Sequence, residues 1–324
     1  MAGCGGQSAD GPPRLVSRSV SAAAPAVDAP VRVGTNPTAV AVGEGSVWVA
    51  NNGSGTVSRL DAATGRPRGA PIRVGPGPRA VSVGEGAVWV IAGAGDVVRV
   101  DPGAHRARRV ARVDDAAGVV AGLGGVWLTS RAGNRVVRLD PRTGRMKGHP
   151  IRVGRAPTDI AVAGGAVWVA NTAAGTLSRI DAGSGRVDRT VRVARRQVLG
   201  LSGAGDRLWA AKTDSPLASP IALVGVDAQT GDLDGSALRV PGGVPVRLAA
   251  GAGGVWVTDL GSELPSAPGR APAVTRVDPQ APAIAGGPIR VGQAPAGITV
   301  GAGSVWVTNS GDGTVSRIRP RPVS

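Results

Sequence analysis

Phenylalanine and tyrosine are absent from this 324-residue chain, histidine, methionine and lysine occur twice each, and there is a single cysteine. One cysteine, Cys4, excludes an intramolecular disulfide framework and a paired-cysteine metal site. His105 and His149 do not have the spacing of metal ligands, and each follows the third strand of a repeat, in or after a turn rather than together at a pocket. The hydrolase GxSxG, the zinc HExxH and the phosphate-loop signatures are all missing. No segment is long and apolar enough to cross a bilayer.

What the chain does contain is a beat. Its seven tryptophans, Trp48, Trp89, Trp127, Trp168, Trp209, Trp256 and Trp306, are separated by 41, 38, 41, 41, 47 and 50 residues. Each sits in a copy of one phrase, fullest as PTAVAVGEGSVWVANNGSGTVSRLDAATGR from Pro37 and PTDIAVAGGAVWVANTAAGTLSRIDAGSGR from Pro157. Short apolar runs separated by Gly-rich turns, at a period near 40, predict an all-β fold. The expected architecture is a seven-bladed β-propeller with four antiparallel strands per blade. No sustained 3.6-residue period predicts a helix.

In the first copy the expected strands are A at Ala39–Val42, B at Ser46–Ala50, C at Thr56–Leu60 and D at Ile72–Gly75. Gly and Asn tolerate the positive φ of the intervening turns. The recurrent DxxTG, at Asp61, Asp140, Asp181 (with Ser184) and Asp227, reads as a structural turn capped by its own carboxylate. Strand B is apolar on both faces, as required of a sheet covered by blades on either side.

The last copy ends after its strand C and lacks the IRVG phrase found at Ile72, Ile151 and Ile289. That phrase appears instead as Val31-Arg32-Val33-Gly34, ahead of the first blade. The N-terminal segment is therefore expected to complete the seventh blade and leave no unprotected sheet edge. The expected organisation is residues 1–28 as a lipobox remnant and flexible linker, 29–320 as the propeller and 321–324 as a tail.

Ala2-Gly3-Cys4, followed by small residues and a Ser-, Ala- and Pro-rich stretch, resembles the end of a bacterial lipoprotein signal. The resemblance implies acylation of Cys4, a native start upstream of Met1, and an extracytoplasmic location in which the membrane is met only through the lipid. The alternative is an ordinary free thiol near the terminus.

The formal charge of +15 comes from 37 basic residues, nearly all Arg, against 22 acidic ones. Arg59, Arg99, Arg138, Arg179 and Arg317 fall in strands C, and Arg73, Arg152, Arg192 and Arg290 in strands D. Outer strands face solvent, so both sets are expected to form a charged rim. An anionic polymer or lipid headgroup is one partner for such a rim, and a plain solvated surface is the other reading. Nucleic acid is not expected, because no aromatic residues interleave with the Arg as stacking platforms.

Ligand sites on repeat scaffolds lie where the repeat is broken. Nine residues before each Trp stand Ala39, Ala80, Gly118, Asp159, Gly200, Arg247 and Gly297. Asp159 and Arg247 interrupt a series of Ala and Gly near the mouth of the central channel, and Arg79 is expected to join them. The loops after strand B are longer in blades five and six. They bring Lys212, Asp214, Asp259 and Glu263 as candidate lining of a polar ligand pocket. An ion pair that merely fills the channel is the competing reading.

The VWVAN, GTVSRID and IRVGxxPxxIAVG phrases resemble the YVTN and YncE-like seven-bladed propellers, and also the streptogramin lyase-like proteins of actinobacteria, over residues 31–318. The likeness implies a fold and leaves activity open. The lyases on this scaffold are understood to open a cyclic depsipeptide by magnesium-assisted elimination with a His base, and no His here falls on the expected ligand face. The reading of the chain is a non-catalytic extracytoplasmic binding or scaffold module, monomeric, without a cofactor, serving an unidentified protein, peptide or envelope ligand. A divergent virginiamycin B lyase-like enzyme using magnesium and a sensor of envelope polyanions are the alternatives.

Overall fold

A computed structural model describes residues 25–215, 221–240, 247–260 and 271–321. The chain forms seven antiparallel sheets arranged as the blades of a closed ring. Blade one has strands Pro37–Gly43, Ser46–Asn51, Thr56–Asp61 and Ile72–Arg73. Blade four is fuller, with Pro157–Ala163, Ala166–Asn171, Thr176–Asp181 and Arg186–Arg192. The expected strand D of blade one is shorter than its IRVG phrase, because Val74 leaves the ladder to bond the Gly55 carbonyl in the B–C turn. One single-turn 3-10 segment, Thr172–Ala174, is the only helical stretch among the described residues.

Ring closure follows the sequence. Val31–Arg32 pairs antiparallel with the last strand, Thr314–Arg319, in the register Val31 to Val315. Ala26–Val27 extends the same edge, with Val27 opposite Ile318. The first and last parts of the chain thus share one blade.

The core is divided into seven clusters, and each is an interface between successive blades. Trp48 of blade one packs with Val88, Val90 and Val98 of blade two. Trp168 of blade four packs with Leu201, Leu208 and Val224 of blade five. Trp306 of blade seven packs with Val40, Val49 and Leu60 of blade one. Strand B is buried along its whole length in blade after blade, as an apolar run covered on both faces must be. Six of the indoles are fully buried. With no other aromatic residue present, each interface depends on a single large side chain.

The DxxTG turns are built as the sequence implies. Asp61 Oδ1 accepts from the Thr64 N–H at 2.8 Å, the Ala63 N–H at 3.1 Å and the Thr64 hydroxyl at 2.9 Å. These hydrogen bonds, led by the Thr64 N–H, hold its carboxyl below the usual range. Asp140 repeats the arrangement with Thr143.

The strand C arginines depart from expectation. In an antiparallel ladder, directly opposite residues share a face of the sheet, and Arg59 is opposite Trp48, Arg138 opposite Trp127 and Arg317 opposite Trp306. Their guanidinium carbons lie 4.9, 4.4 and 5.0 Å from the ring centroids, within cation–π range. Each then donates to a carbonyl in the C–D turn of the next blade: Arg59 to Pro102 at 2.6 Å, Arg138 to Ala182 at 2.8 Å and Arg317 to Ala63 at 2.6 Å. These residues clamp neighbouring blades and are not a free rim. Arg179 holds the same register opposite Trp168, but pairs with Asp188 and reaches the Ala228 carbonyl through Nε at 3.4 Å. In blade five Gly225 occupies the strand C position opposite Trp209, and Arg207 of strand B supplies the guanidinium, 5.6 Å from the ring and 3.2 Å from the Pro279 carbonyl. The strand D residues Arg73, Arg152, Arg192 and Arg290 are exposed.

Candidate functional site

Seven strands A line the axis, and their first residues form the mouth of the channel on the face that carries the D–A and B–C connections. Neighbouring strands run close there. A Cβ on Gly118 would come 2.9 Å from the Thr158 carbonyl oxygen, and one on Gly297 would come 2.8 Å from both the Ala39 Cα and the Thr38 oxygen. At Gly118 and Gly297, then, the close approach of the next strand leaves no room for a side chain.

A cavity of about 180 Å³ opens at this mouth. Asp159, Arg79 and Arg247 all line it, together with Ala39, Ala80, Gly118 and Gly297 from the same repeat position. Blade five contributes Leu199 in place of Gly200, next to the irregularity in its strand A between Val198 and Gly200.

Asp159 is the centre of the site. Its Oδ2 accepts the Leu201 N–H of blade five at 2.9 Å, and its Oδ1 accepts the Ile160 N–H at 2.9 Å. Burial pushes its carboxyl above the ordinary range; Arg247, then the Leu201 and Ile160 N–H groups, pull the other way with smaller effect. The backbone of Arg247 is fixed by Thr258, whose hydroxyl accepts the Arg247 N–H at 3.0 Å and whose N–H donates to the Arg247 carbonyl at 3.0 Å. Arg79 donates from Nη2 to the Gly93 carbonyl and from its backbone N–H to Ile91 at 2.9 Å.

Lys212, Asp214 and Asp259 do not line this cavity. Lys212 and Asp214 form an ion pair at 2.9 Å, and Asp214 also accepts the Arg195 N–H at 2.6 Å. They line a separate depression on blade five with Ala222, Ala237 and Arg239. Asp259 ends strand B of blade six, opposite Ala273 and 2% exposed. The physical reason is radial: strand B is one strand removed from the axis, so its end does not reach the channel. Glu263 and Cys4, with the tips of both long loops at residues 216–220 and 261–270, lie outside the described residues. His105 and His149 lie in C–D connections on the opposite face, His105 within 3.2 Å of the Arg59 guanidinium.

A magnesium ion requires oxygen ligands, including one or two carboxylates. Among the described residues the cavity lining includes one carboxylate, Asp159, and two arginines, Arg79 and Arg247, and no cluster of three His, Cys, Asp or Glu could hold a metal. That donor set does not fit a divalent cation. It suits a small group that accepts hydrogen bonds from guanidinium.

No protein-family profile matches the chain, and no curated protein matches it. Solved structures match widely in fold. Kuenenia stuttgartiensis hydrazine synthase aligns with a TM-score of 0.72 at 15% identity, covering 90% of this chain and 98% of that one. A streptogramin B lyase aligns at 0.71 and 18% identity, over 91% and 97%. Virginiamycin B lyase from Staphylococcus aureus aligns at 0.71 and 18%, over 92% and 100%. The chain is a β-propeller like these. At such identities the likeness is one of fold, and unrelated roles share it.

Proposed function

We propose that this chain is a non-catalytic binding propeller whose ligand is received at the channel mouth by Arg79, Asp159 and Arg247. The observation that carries the reading is positional. At one repeat position where five blades have Ala or Gly, two have a charged residue, and both line one cavity with Arg79. The volume is below the roughly 300 Å³ of a drug-sized pocket, so the group received is small, such as the end of a side chain or a terminal carboxylate of a peptide. Each Asp159 oxygen already accepts a backbone N–H, which argues against a general base. The Ala2-Gly3-Cys4 segment supports lipid anchoring outside the cytoplasmic membrane, on a propeller acting as a monomer.

A thermal-shift screen with peptides, envelope glycans and streptogramins, with and without magnesium, tests the reading, because a ligand of the native state raises Tm by mass action. A magnesium-independent shift that Arg247→Ala abolishes is expected. A shift unchanged in that variant misplaces the site. The second reading, a divergent streptogramin lyase, is favoured by the scaffold shared with solved streptogramin lyases over most of the chain. Magnesium-dependent ring opening of a streptogramin, seen by mass spectrometry, would establish it in place of the binding module.

A further inference from the structure

The basic charge is unevenly placed. Residues 35–196, which form blades one to four, hold 24 Lys and Arg against 11 Asp and Glu, whereas residues 197–321 hold 10 against 9. Arg59 and Arg138 are committed to tryptophans and neighbouring turns, so the exposed excess lies in the turns and outer strands of the first four blades.

Between blades three and four this excess lines a furrow. Strand D of blade three is only Ile151–Arg152, while the corresponding strand of blade four is the seven-residue Arg186–Arg192. Two adjoining depressions, of about 310 and 500 Å³, lie along this edge and share Arg152. Arg155 lines the first, and His149 and Arg186 line the second. Arg135 stands directly opposite Arg152 across the ladder. Like charges in that position disfavour the fold. The residue opposite the strand D arginine in blades one, four and seven is Thr56, Thr176 or Thr314. Arg135, Arg152 and Arg186 form no ion pair among the described residues. A repulsive pair kept at the edge of a cationic furrow is relieved when an anion lies between the two groups.

We propose that this furrow binds a linear, phosphate-bearing polymer without nucleobases. A recess that follows the outer edge of blade three suits an extended single chain better than a duplex or a flat lipid surface. Bases would find no platform, since Phe and Tyr are absent and every Trp is buried. Phosphate groups match the planar fork of arginine, which makes up nearly all the basic residues. The proposal is independent of the channel-mouth reading.

The test is fluorescence anisotropy of the full chain with labelled inorganic polyphosphate and polyglycerol phosphate, alongside oligo(dT) and anionic vesicles. The triple variant Arg135→Gln, Arg152→Gln, Arg186→Gln is compared with a control carrying Arg239→Gln and Arg290→Gln on blades five and six. Binding of a phosphate polymer is expected, with the triple variant lowering the slope of log K against log salt by about 2 through lost counterion release and the control changing it little. The tighter of the two polymers identifies the source of the phosphate. Four results overturn the proposal: no polymer binding, equal loss in both variants, tighter binding to oligo(dT), or vesicle binding abolished by the same triple. The substituted residues are exposed, so melting is expected near the wild-type Tm; if the triple fails to fold, Arg152→Gln alone is measured by the same criteria.

Discussion

Arg317 and Ala63, 254 residues apart, are joined by a 2.6 Å hydrogen bond from the guanidinium to the backbone carbonyl. Arg317 Nε also donates to Ser304 at 2.9 Å, and its guanidinium carbon lies 5.0 Å from the Trp306 ring centroid. One nearly buried side chain thus ties the seventh blade to the first. Arg317→Ala is expected to lower stability by about 1.5–3 kcal/mol, the range for hydrogen bonds to charged groups, read as a shift in the urea midpoint. Arg290→Ala, on an exposed outer strand, should stay within about 0.5 kcal/mol. Equal midpoints for the two variants would refute the clamp.

Closure by the N-terminal segment leads to a second expectation. A chain beginning at residue 35 lacks both Ala26–Val27 and Val31–Arg32, which cover the outer edge of strand Thr314–Arg319, and leaves that strand paired with Ser304–Asn309 alone. It should melt below the full chain and aggregate through the exposed edge. A truncated protein with the full-length Tm and no aggregation would show that the ring closes without this strand.

Asp159 predicts a pH dependence. Burial raises its carboxyl above the ordinary value of 3.8. The folded state therefore holds the proton more tightly than the unfolded chain. Its stabilising contribution is complete below that value and is lost as pH rises through the raised one. Asp159→Asn cannot ionise, so its Tm should gain on the wild type between pH 4 and pH 7. Turn carboxylates such as Asp61 and Asp140 have the opposite sign, being lowered and losing stability as pH falls, but they are common to both proteins and cancel. A Tm difference that does not vary with pH would refute the burial of this charge.

The crowding of the axis is also testable. Gly297→Ala places a Cβ 2.8 Å from the backbone of blade one, and overpacking of that kind costs about 1–3 kcal/mol. Gly287→Ala meets nothing within 4 Å and serves as the reference in the same urea titration. Equal midpoints would mean that the inner strands tolerate a methyl group at the axis.

The blade count and the ring closure were legible because the Trp period and the displaced IRVG phrase are both properties of the string of letters. The strand C arginines were misread because an outer place in the sheet was equated with exposure. The missing signal was register, since Arg59 and Arg317 each follow their Trp by eleven residues across a short turn and so fall on the same face. The relocation of that guanidinium in blade five, from the place of Gly225 to Arg207, is visible only when the two strands are laid side by side. At the channel, the break in the Ala and Gly series did place Asp159 and Arg247 together. Loop length was a poorer guide: Lys212 and Asp214 lie at the end of a strand that never reaches the axis, and found each other instead.

The placement of the tryptophans makes this chain its own optical gauge. No other fluorophore or near-ultraviolet chromophore of comparable strength is present, and each indole marks one contact between successive blades. Emission wavelength and near-ultraviolet dichroism therefore report separation of the blades and are nearly blind to the turns and outer strands. Opening at a single seam exposes one emitter in seven, so the ring's cooperativity can be followed without a label.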